Sequence, residues 1–541
     1  MPCLLCGSLD VPTFFNPYHL CKSSDTACIP CVEMELLEER ISETKTALKK
    51  MLKRHAELRA RMNRAHNPII HRLPPELPSY IFELCVPLNN TSTSPMTDIE
   101  RCAPLIIGAV CRGWRQIAWS TPRIWTFISI FLESQKFPVR YELAREWLNR
   151  SGQLPLTIHI TAPATISPSL DSRLGPMIEF INQHSSRWKE LHLTVPPRFV
   201  SRFCGDSGGA PVLHTLKLQY MLPNLFCDIP DKNPFSLKHG KPMPSNVSIS
   251  YFCSRGVDIE WGYITHLFLG SISLTECISV LKSAPRLIHY ALSDVSIPSS
   301  PPHRPHKPIV HQVLRELDVS TNFRCWVGLF FEAVTLPGLE SISMCLQKND
   351  VRLSTDAFIS LVKRSCADLK SLSISYKASG QPQELHRLLR STPSLLHFNL
   401  QGTSGDLFDH FCHLLADSPL DKNDPDIADP FLPTLESICF TPTGVNPFNS
   451  WDLLPDILDI HYLHRRPIRK VQIATKRSRY EPFGPPELIT RDSVIRFLEL
   501  IHAGVTLDFR VRDYFEEYFC DMLTLSMDFH DITGEDFIPG L

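Results

Sequence analysis

The stretch TPSLLHFNL, residues 392–400, decides the fold of this chain, because its pattern returns eight more times along the sequence. In this stretch the apolar Phe398 and Leu400 alternate with the polar His397 and Asn399. That alternation is the period of a β-strand with one buried face. Phrases of the same kind begin at Arg187, Pro211, Tyr263, Ala284, Val313, Leu336, Ala367 and Leu432. Each phrase therefore predicts a short strand.

The spacing of these phrases predicts a repeat. Their central residues are mostly 23 to 30 positions apart, and they are Leu191, Leu216, Leu267, Tyr290, Leu317, Ile342, Leu372, Phe398 and Ile438. The step of 51 residues after Leu216 predicts one further, degenerate unit near SNVSISYF at Ser245. Helical patterns lie between the phrases: LTECISVLKSAP (274–285), STDAFISLVKRSC (354–366) and PQELHRLLRSTP (382–393). A strand plus a helix in roughly 25 residues is typical of a leucine-rich-repeat solenoid, in which stacked units supply the core.

We expect this irregular solenoid over residues 138–480. Proline-rich stretches at 297–308 and 421–433 are predicted to be surface insertions, since a longer loop costs little free energy. A last strand is predicted at Ile468, in IRKVQIA, and RDSVIRFLELIHAG at Arg491 predicts a helix that caps the array. This helix and a tail without a readable pattern after Arg510 form the segment 481–541.

The sequence of residues 32–66 predicts one long helix. Its apolar positions follow a 4-3 spacing from Leu37 to Ala65, interrupted by Thr44 and His55, and this spacing is a heptad seam. Three alternatives remain open: a coiled-coil dimer, a helix docked on its own chain, or a spacer. Asn67-Pro68 is expected to end the helix.

Length and composition limit the possible functions. A chain of 541 residues is too long for one compact core, and 43% apolar with 21% charged residues indicates a globular protein. The net charge of -2 gives no electrostatic reason to expect nucleic acid or a membrane as partner. Neither a signal peptide nor a membrane-spanning run is recognisable, and eighteen cysteines placed mostly in apolar patterns indicate reduced thiols. We expect an intracellular protein, cytoplasmic or nuclear.

The stretch VCRGWRQIAWSTPRIW, residues 110–125, contains three tryptophans. Val110, Trp114, Ile117 and Ala118 lie at i, i+4, i+7 and i+8, which predicts one helix with an apolar stripe. Upstream, a short helix is predicted to begin near Pro75 and to end at Pro87. Its predicted apolar stripe consists of Leu77, Ile81, Leu84 and Cys85.

Together these segments resemble an F-box. The resemblance rests on Leu73-Pro74-Pro75-Glu76, Ile81-Phe82, Val110-Cys111-Arg112-x-Trp114-Arg115-x-Ile117-Ala118 and Thr121-Pro122-x-x-Trp125. The match covers about a tenth of the chain and departs from the family in a polar insert at 88–104. It implies a small all-α domain at 67–130. The whole chain resembles a large fungal family of F-box proteins with an N-terminal helix and a leucine-rich-repeat-like C-terminal region, so the expected fold class is an α+β or α/β repeat.

The resemblance implies a substrate receptor of a ubiquitin ligase, without an active site or cofactor of its own. Such a chain binds a Skp-type adaptor and through it a cullin, and it presents an unknown protein substrate for ubiquitin-dependent degradation. The implied adaptor-binding residues are Leu73, Pro74, Pro75, Ile81, Val110, Cys111, Trp114 and Trp125, the last closing the domain. Residues 69–130 are also too few to cover all their own apolar faces. The alternative is a non-catalytic F-box/repeat scaffold that does not promote ubiquitination.

Two strings suggest other chemistry. CGDSGGAP, residues 204–211, resembles the nucleophile segment of trypsin-like proteases around Ser207, but the required histidine context is missing, so we expect an inter-repeat loop. Cys3-x-x-Cys6 and Cys28-x-x-Cys31 predict either a structural zinc site or free thiols. His192, His214, His266 and His397 lie within strand phrases and are expected to be ordinary repeat residues.

Overall fold

We describe the protein from a computed structural model of the 541-residue chain. The structure describes residues 29–66, 73–74, 76–86, 102–132, 137–163, 168–206, 208–220, 235–297, 307–321, 326–346, 354–376, 381–402, 405–418, 431–441, 448–458, 466–476, 488–512 and 519–532. The chain divides into two compact units, which we call the N-terminal unit (Met1–Ile124) and the C-terminal unit (Trp125–Leu541).

Between residues 29 and 124, all regular structure in the described ranges is helical. The helices are α1 (Ile29–His66), α2 (Glu76–Leu84), α3 (Ala103–Val110) and α4 (Arg112–Trp119), and a 3-10 turn begins at Pro122. Helix α1 has 38 residues and ends directly before Asn67-Pro68, as predicted. Every described side chain from Glu33 to Met62 is exposed, so α1 is not docked on its own chain over these residues.

The prediction of one helix from Val110 to Ala118 is wrong. Cys111 has φ −159° and ψ 171°, an extended conformation that separates α3 from α4. Its Sγ atom accepts a hydrogen bond from the Trp114 N–H at 3.4 Å and so caps the start of α4. The Arg115 side chain donates from Nε to the Gly108 carbonyl oxygen at 2.9 Å and ties the two helices together. The apolar period continues through the break, although the helix does not.

The C-terminal unit is mixed α/β, with one large and mostly parallel sheet. Its strands are β1 (Phe127–Phe131), β2 (Leu156–Thr161), β3 (Trp188–Thr194), β4 (Thr215–Gln219), β5 (Asn246–Ser250), β6 (His266–Gly270), β7 (His289–Ser293), β8 (Ile309–Val310), β9 (Glu316–Thr321), β10 (Val334–Thr335), β11 (Ser341–Leu346), β12 (Ser371–Tyr376), β13 (His397–Gln401), β14 (Ser437–Thr441), β15 (Lys470–Lys476), β16 (Thr506–Arg512) and β17 (Phe519–Asp521). Fifteen of the described strands follow chain order in this sheet, while β8 and β10 form a separate parallel pair. Every adjacent pair in the large sheet is parallel except β16 and β17.

The predicted strand phrases lie in register across the sheet. Leu372 lies opposite Ile342 and Phe398, and Phe398 lies opposite Ile438. All nine predicted central residues belong to one such row, and each is at most 1% exposed. The degenerate unit predicted near Ser245 is confirmed by β5, whose Val247 joins the row between Leu216 and Leu267. A second buried row, two residues further along each strand, includes Leu400 and Phe440. The two rows form the core face of the sheet.

Helices pack against this core face. In the C-terminal unit they are α5 (Phe137–Arg150), α6 (Pro168–Asn182), α7 (Pro197–Val200), α8 (Leu274–Ser283), α9 (Trp326–Ala333), α10 (Thr355–Ser365), α11 (Pro382–Arg390), α12 (Gly405–Ala416), α13 (Leu453–Leu458), α14 (Arg491–His502) and α15 (Met522–Phe529). The Phe398 and Phe411 rings, from β13 and α12, lie 4.9 Å apart. Helices α8, α10, α11 and α14 confirm the four helical patterns quoted from the sequence.

The sheet extends beyond the repeat region expected at 138–480. Strand β1 lies within the segment that was expected to be all-α. Strands β16 and β17 and helix α15 lie in the C-terminal segment, where the sequence after Arg510 had no readable pattern. No helix within the described ranges has both the length and the hydrophobicity required to cross a membrane.

Candidate functional site

Helix α2 exposes apolar side chains. Its first turn follows Pro74, whose carbonyl oxygen accepts a hydrogen bond from the Leu77 N–H at 3.0 Å. The side chains of Pro78 and Phe82 are buried. Leu77, Tyr80 and Leu84, at i, i+3 and i+7, are 46%, 58% and 70% exposed. The predicted stripe of Leu77, Ile81, Leu84 and Cys85 is therefore not the face that α2 buries: only Ile81 is half-buried, and the other three are exposed.

The core of the N-terminal unit forms around Phe82 and Trp114, whose rings lie 4.9 Å apart. The Thr121 hydroxyl is 3.1 Å from that of Ser79 and donates to the Ile117 carbonyl oxygen at 2.7 Å, which joins the end of α4 to α2. These contacts hold α2 against α4. They bury one side of each short helix and leave the other side open.

Helices α3 and α4 add further exposed apolar side chains. Ile106 and Val110, one turn apart on α3, are 48% and 49% exposed. Trp119, at the end of α4, is also 49% exposed, and the Arg115 guanidinium lies 5.9 Å from its ring centre. We call Leu77, Tyr80, Leu84, Ile106, Val110 and Trp119 the exposed apolar set. Six large apolar side chains exposed on three short helices make this region a candidate binding site.

The predicted adaptor-binding residues occupy different environments. Pro74 and Val110 are exposed, whereas Leu73, Ile81, Cys111 and Trp114 are half-buried. Pro75 lies outside the described residues. Trp125 is fully buried in the C-terminal unit. Its ring centre lies 4.8 Å from that of Trp147, in an edge-to-face arrangement, and 4.8 Å from the Arg150 guanidinium carbon. Tyr80, Ile106 and Trp119 were not among the predicted residues, because a helical pattern does not show which of several apolar faces is covered.

A second candidate site is the polar face of the large sheet, formed by the side chains that alternate with the two buried rows. From β11 to β14 it is neutral and half-exposed, and it carries Ser341, Ser343, Cys345, Ser371, Ser373, Ser375, Asn399, Gln401, Ser437, Cys439 and Thr441. Hydroxyl and amide groups of this kind both donate and accept hydrogen bonds. Short side chains also leave the strands accessible to a broad partner.

Histidines form a distinct part of the polar face. The His159 and His192 rings, on β2 and β3, stack at 3.9 Å with 23° between their planes. Burial, reinforced by the adjacent His159, lowers the pKa of His192 to about 2. In the described part of the chain, the buried Nε2 atom of His192 has no hydrogen-bond partner. This imidazole therefore stays neutral at physiological pH.

The histidine on β7 behaves in the opposite way. The Nε2 atom of His289 donates a hydrogen bond to the Asp318 carboxylate at 2.7 Å, and this bond raises the pKa of His289. Its neighbour His266 is 5.9 Å away, ring centre to ring centre, and burial lowers the pKa of His266. Two adjacent strands thus carry imidazoles whose pKa values are shifted in opposite directions. His214 and His397 are exposed.

Neither string that suggested other chemistry forms a site in the described residues. Ser207 lies outside them, and its neighbour Asp206 accepts hydrogen bonds from the Ser185 hydroxyl at 2.8 Å and the Gly208 N–H at 2.9 Å. Cys3, Cys6 and Cys28 also lie outside the described residues, and Cys31 is described only in its backbone. Across the described ranges, no three His, Cys, Asp or Glu side chains are grouped so that they hold a metal ion.

Comparison with known proteins adds no relatives: no protein-family model matches the chain, and none of the curated proteins searched matches it.

Proposed function

We propose that this chain is the substrate-recognition subunit of a Skp-cullin-F-box ubiquitin ligase. In this proposal the N-terminal unit contains the F-box, and the C-terminal unit is a leucine-rich-repeat-like solenoid that binds the target. The observation that carries the proposal is the exposure of apolar side chains on the helices that bear the F-box-like motif.

The energy available at that surface supports adaptor binding. Full burial of a Leu, Val or Phe side chain stabilises a complex by about 1.5–3 kcal/mol. The exposed apolar set contains three aliphatic anchors that are at least 48% exposed, namely Leu84, Ile106 and Val110. Because Ile106 and Val110 are already about half-buried, a helical partner that covers all three gains about 2–5 kcal/mol before the cost of association. The same side chains contribute little to the stability of the free chain.

The polar face of the sheet is the proposed target surface. Its hydroxyl-rich part spans four adjacent strands, β11 to β14, and is supported from behind by the buried rows. In this proposal the surface holds the target, and the chain promotes ubiquitin transfer by proximity.

The adaptor interface is tested by affinity purification of the full chain with matched valine substitutions. Val110→Asp places a charge in the exposed apolar set, whereas Val139→Asp places one on α5 in the C-terminal unit, where valine is 73% exposed. Neither valine is in a core, so both variants are expected to fold. Wild type and Val139→Asp are expected to co-purify with adaptor and cullin, and Val110→Asp is expected to lose both. Equal recovery from all three proteins contradicts the assigned interface.

Trp114→Asp and Ile81→Asp are less suitable for this test. Both side chains are half-buried, and Trp114 packs on Phe82. A loss of binding in these variants reports unfolding of the N-terminal unit as well as loss of an interface.

The target surface is tested separately. Ser373→Arg introduces a bulky charge on the polar face, and Ser283→Arg introduces the same group at the exposed end of α8. Ser373→Arg is expected to reduce the recovery and ubiquitination of co-purified targets and to retain the adaptor, while Ser283→Arg behaves like wild type. Adaptor binding without cullin recruitment or ubiquitin transfer in the wild type favours the scaffold function instead.

A further inference from the structure

Helix α1 exposes its whole heptad seam in the single chain. The seam residues Leu37, Ile41, Leu48, Met51, Leu58 and Met62 are 54%, 48%, 45%, 63%, 43% and 61% exposed. Helix α1 is continuous through all of them. Heptad seams of this length are normally covered by another helix with the same spacing. A second copy of the chain supplies such a helix in both possible orientations, parallel and antiparallel.

Charge is distributed unequally along α1. Residues 33–43 contain five glutamates and one arginine, and residues 44–62 contain seven lysines and arginines and one glutamate. Side-by-side pairing in the same direction brings like charges together. Pairing in opposite directions brings the acidic end of each helix to the basic end of the other, which also opposes the two helix dipoles.

The residues that flank the seam disfavour the parallel arrangement. We call a seam residue an a position when the next seam residue follows three positions later. In a parallel, in-register pair, the residue directly before each a position lies beside the residue five positions further along in the partner helix. The charged pairs formed in this way are Glu33 with Glu38, Arg40 with Lys45, and Arg54 with Arg59. All three are like-charged, and each occurs twice in a symmetric dimer.

The antiparallel arrangement fits the seam and relieves most of this repulsion. Its layers are Met34 with Ala65, Leu37 with Met62, Ile41 with Leu58, Thr44 with His55, and Leu48 with Met51 of the second copy. The two interrupting residues, Thr44 and His55, therefore share one layer. Beside the layers, Glu38 meets Arg59, which is attractive, and Arg40 meets Arg61, which is the one close like-charged pair that remains.

We propose that two copies of this chain associate through an antiparallel pair of α1 helices. Because helices rise about 1.5 Å per residue, the two chains leave this pair at opposite ends, about 50 Å apart. The exposed apolar set of each copy lies outside the seam and takes no part in this pairing. It does not depend on the proposed ligase function.

Association is tested by sedimentation of the full chain over a concentration series. Leu48→Gln removes a central seam residue that is 45% exposed, and Leu36→Gln removes a leucine outside the seam that is 57% exposed, with the same small change in helix propensity. Wild type and Leu36→Gln are expected to form dimers, and Leu48→Gln is expected to raise the dimer dissociation constant roughly tenfold or more. A monomeric wild type, or equal effects of the two substitutions, overturns the proposal.

Orientation is tested by exchanging one flanking pair. In the antiparallel dimer, Glu38→Arg and Arg59→Glu each create a repulsive pair and are expected to weaken the dimer roughly threefold to tenfold, and the double variant restores it. In a parallel dimer each single variant instead creates an attractive pair and strengthens association. A photo-crosslinking residue at Leu37 is expected to react with the second copy near Met62, and reaction near Leu37 of the second copy overturns the antiparallel assignment.

Discussion

The two units of this protein place apolar side chains in opposite ways. In the C-terminal unit the central residues of the predicted strand phrases form one in-register row, each at most 1% exposed. In the N-terminal unit Leu77, Tyr80 and Leu84 of one short helix are 46–70% exposed. The repeated strand positions of the C-terminal unit are enclosed, whereas these three apolar side chains of the N-terminal unit remain in contact with solvent.

The difference follows from the geometry of the elements. Each inner strand of the large sheet has a hydrogen-bonded strand on both sides, and its apolar residues lie in two buried rows. Helices α2 to α4 have only eight or nine residues each. Helices this short depend on tertiary contacts for stability, and two or three of them cannot surround one another.

The largest effect is expected for a core residue of the sheet. Phe398→Ala removes a ring that is 1% exposed and that packs on Phe411 at 4.9 Å. We expect the free energy of unfolding of the C-terminal unit to fall by about 3–5 kcal/mol, measured by urea denaturation. His397→Ala, on the exposed neighbouring position, is the control and is expected to change it by less than about 0.5 kcal/mol. Similar losses from both substitutions contradict the burial of this row.

The next effect depends on pH. Because the pKa of His192 is lowered to about 2, chiefly by burial, the unfolded chain binds a proton below about pH 6.5 that the folded chain does not bind. Stability contributed by this residue is therefore lost as pH falls. His192→Phe keeps the stacking on His159 and cannot titrate, so at pH 5 we expect it to be more stable than wild type by roughly 1–2 kcal/mol, relative to the difference at pH 7.5.

Denaturation curves for wild type and His192→Phe at both pH values measure this effect. His214→Phe, on an exposed site, provides the comparison, because an exposed imidazole is solvated before and after unfolding. An advantage of His192→Phe that is equal at pH 5 and pH 7.5 is incompatible with a buried neutral imidazole.

A smaller pH-dependent effect on stability, of opposite sign, is expected at His289 on β7. The hydrogen bond from His289 to Asp318 raises the pKa of His289, so its stabilisation is fully present below the unfolded pKa and is lost as pH rises through the folded pKa. The Asp318 side chain is 49% exposed, and solvent screening limits the contribution to about 0.5 kcal/mol. Asp318→Asn is expected to lower the pKa of His289 in an NMR titration and to destabilise the protein at pH 6 more than at pH 8.

The smallest effect is expected in the exposed apolar set. Leu84 is 70% exposed, so Leu84→Ser is expected to change the free energy of unfolding by less than about 0.5 kcal/mol, even though it replaces a large apolar side chain by a small polar one. Calorimetry of the free chain measures this change, and adaptor recovery measures its effect on binding. A loss close to that of Phe398→Ala would show that the N-terminal unit buries Leu84 in solution.

The sequence was most informative where structure depends on local pattern. Alternation of period two predicted the strands around Phe398 and Ile438, and spacing alone predicted the degenerate unit that became β5. Strand register followed as well, because a shift by one residue would turn every apolar side chain to the polar face.

The candidate site was less predictable, because it depends on contacts between distant residues. The apolar period from Val110 to Ala118 does not reveal the break at Cys111, since the break preserves the spacing while a side-chain sulfur caps the new helix. Helix α2 is apolar on a broad arc, and the contact of Phe82 with Trp114 selects the buried part. Neither pattern shows which apolar side chains these contacts leave exposed.

Strand β17 has only three residues and runs antiparallel to β16, whereas each preceding neighbour pair is parallel. An exposed edge strand can pair with a strand of another chain, and a very short edge strand limits such pairing. Among the described residues, β17 therefore offers only three residues for pairing at this edge of the sheet.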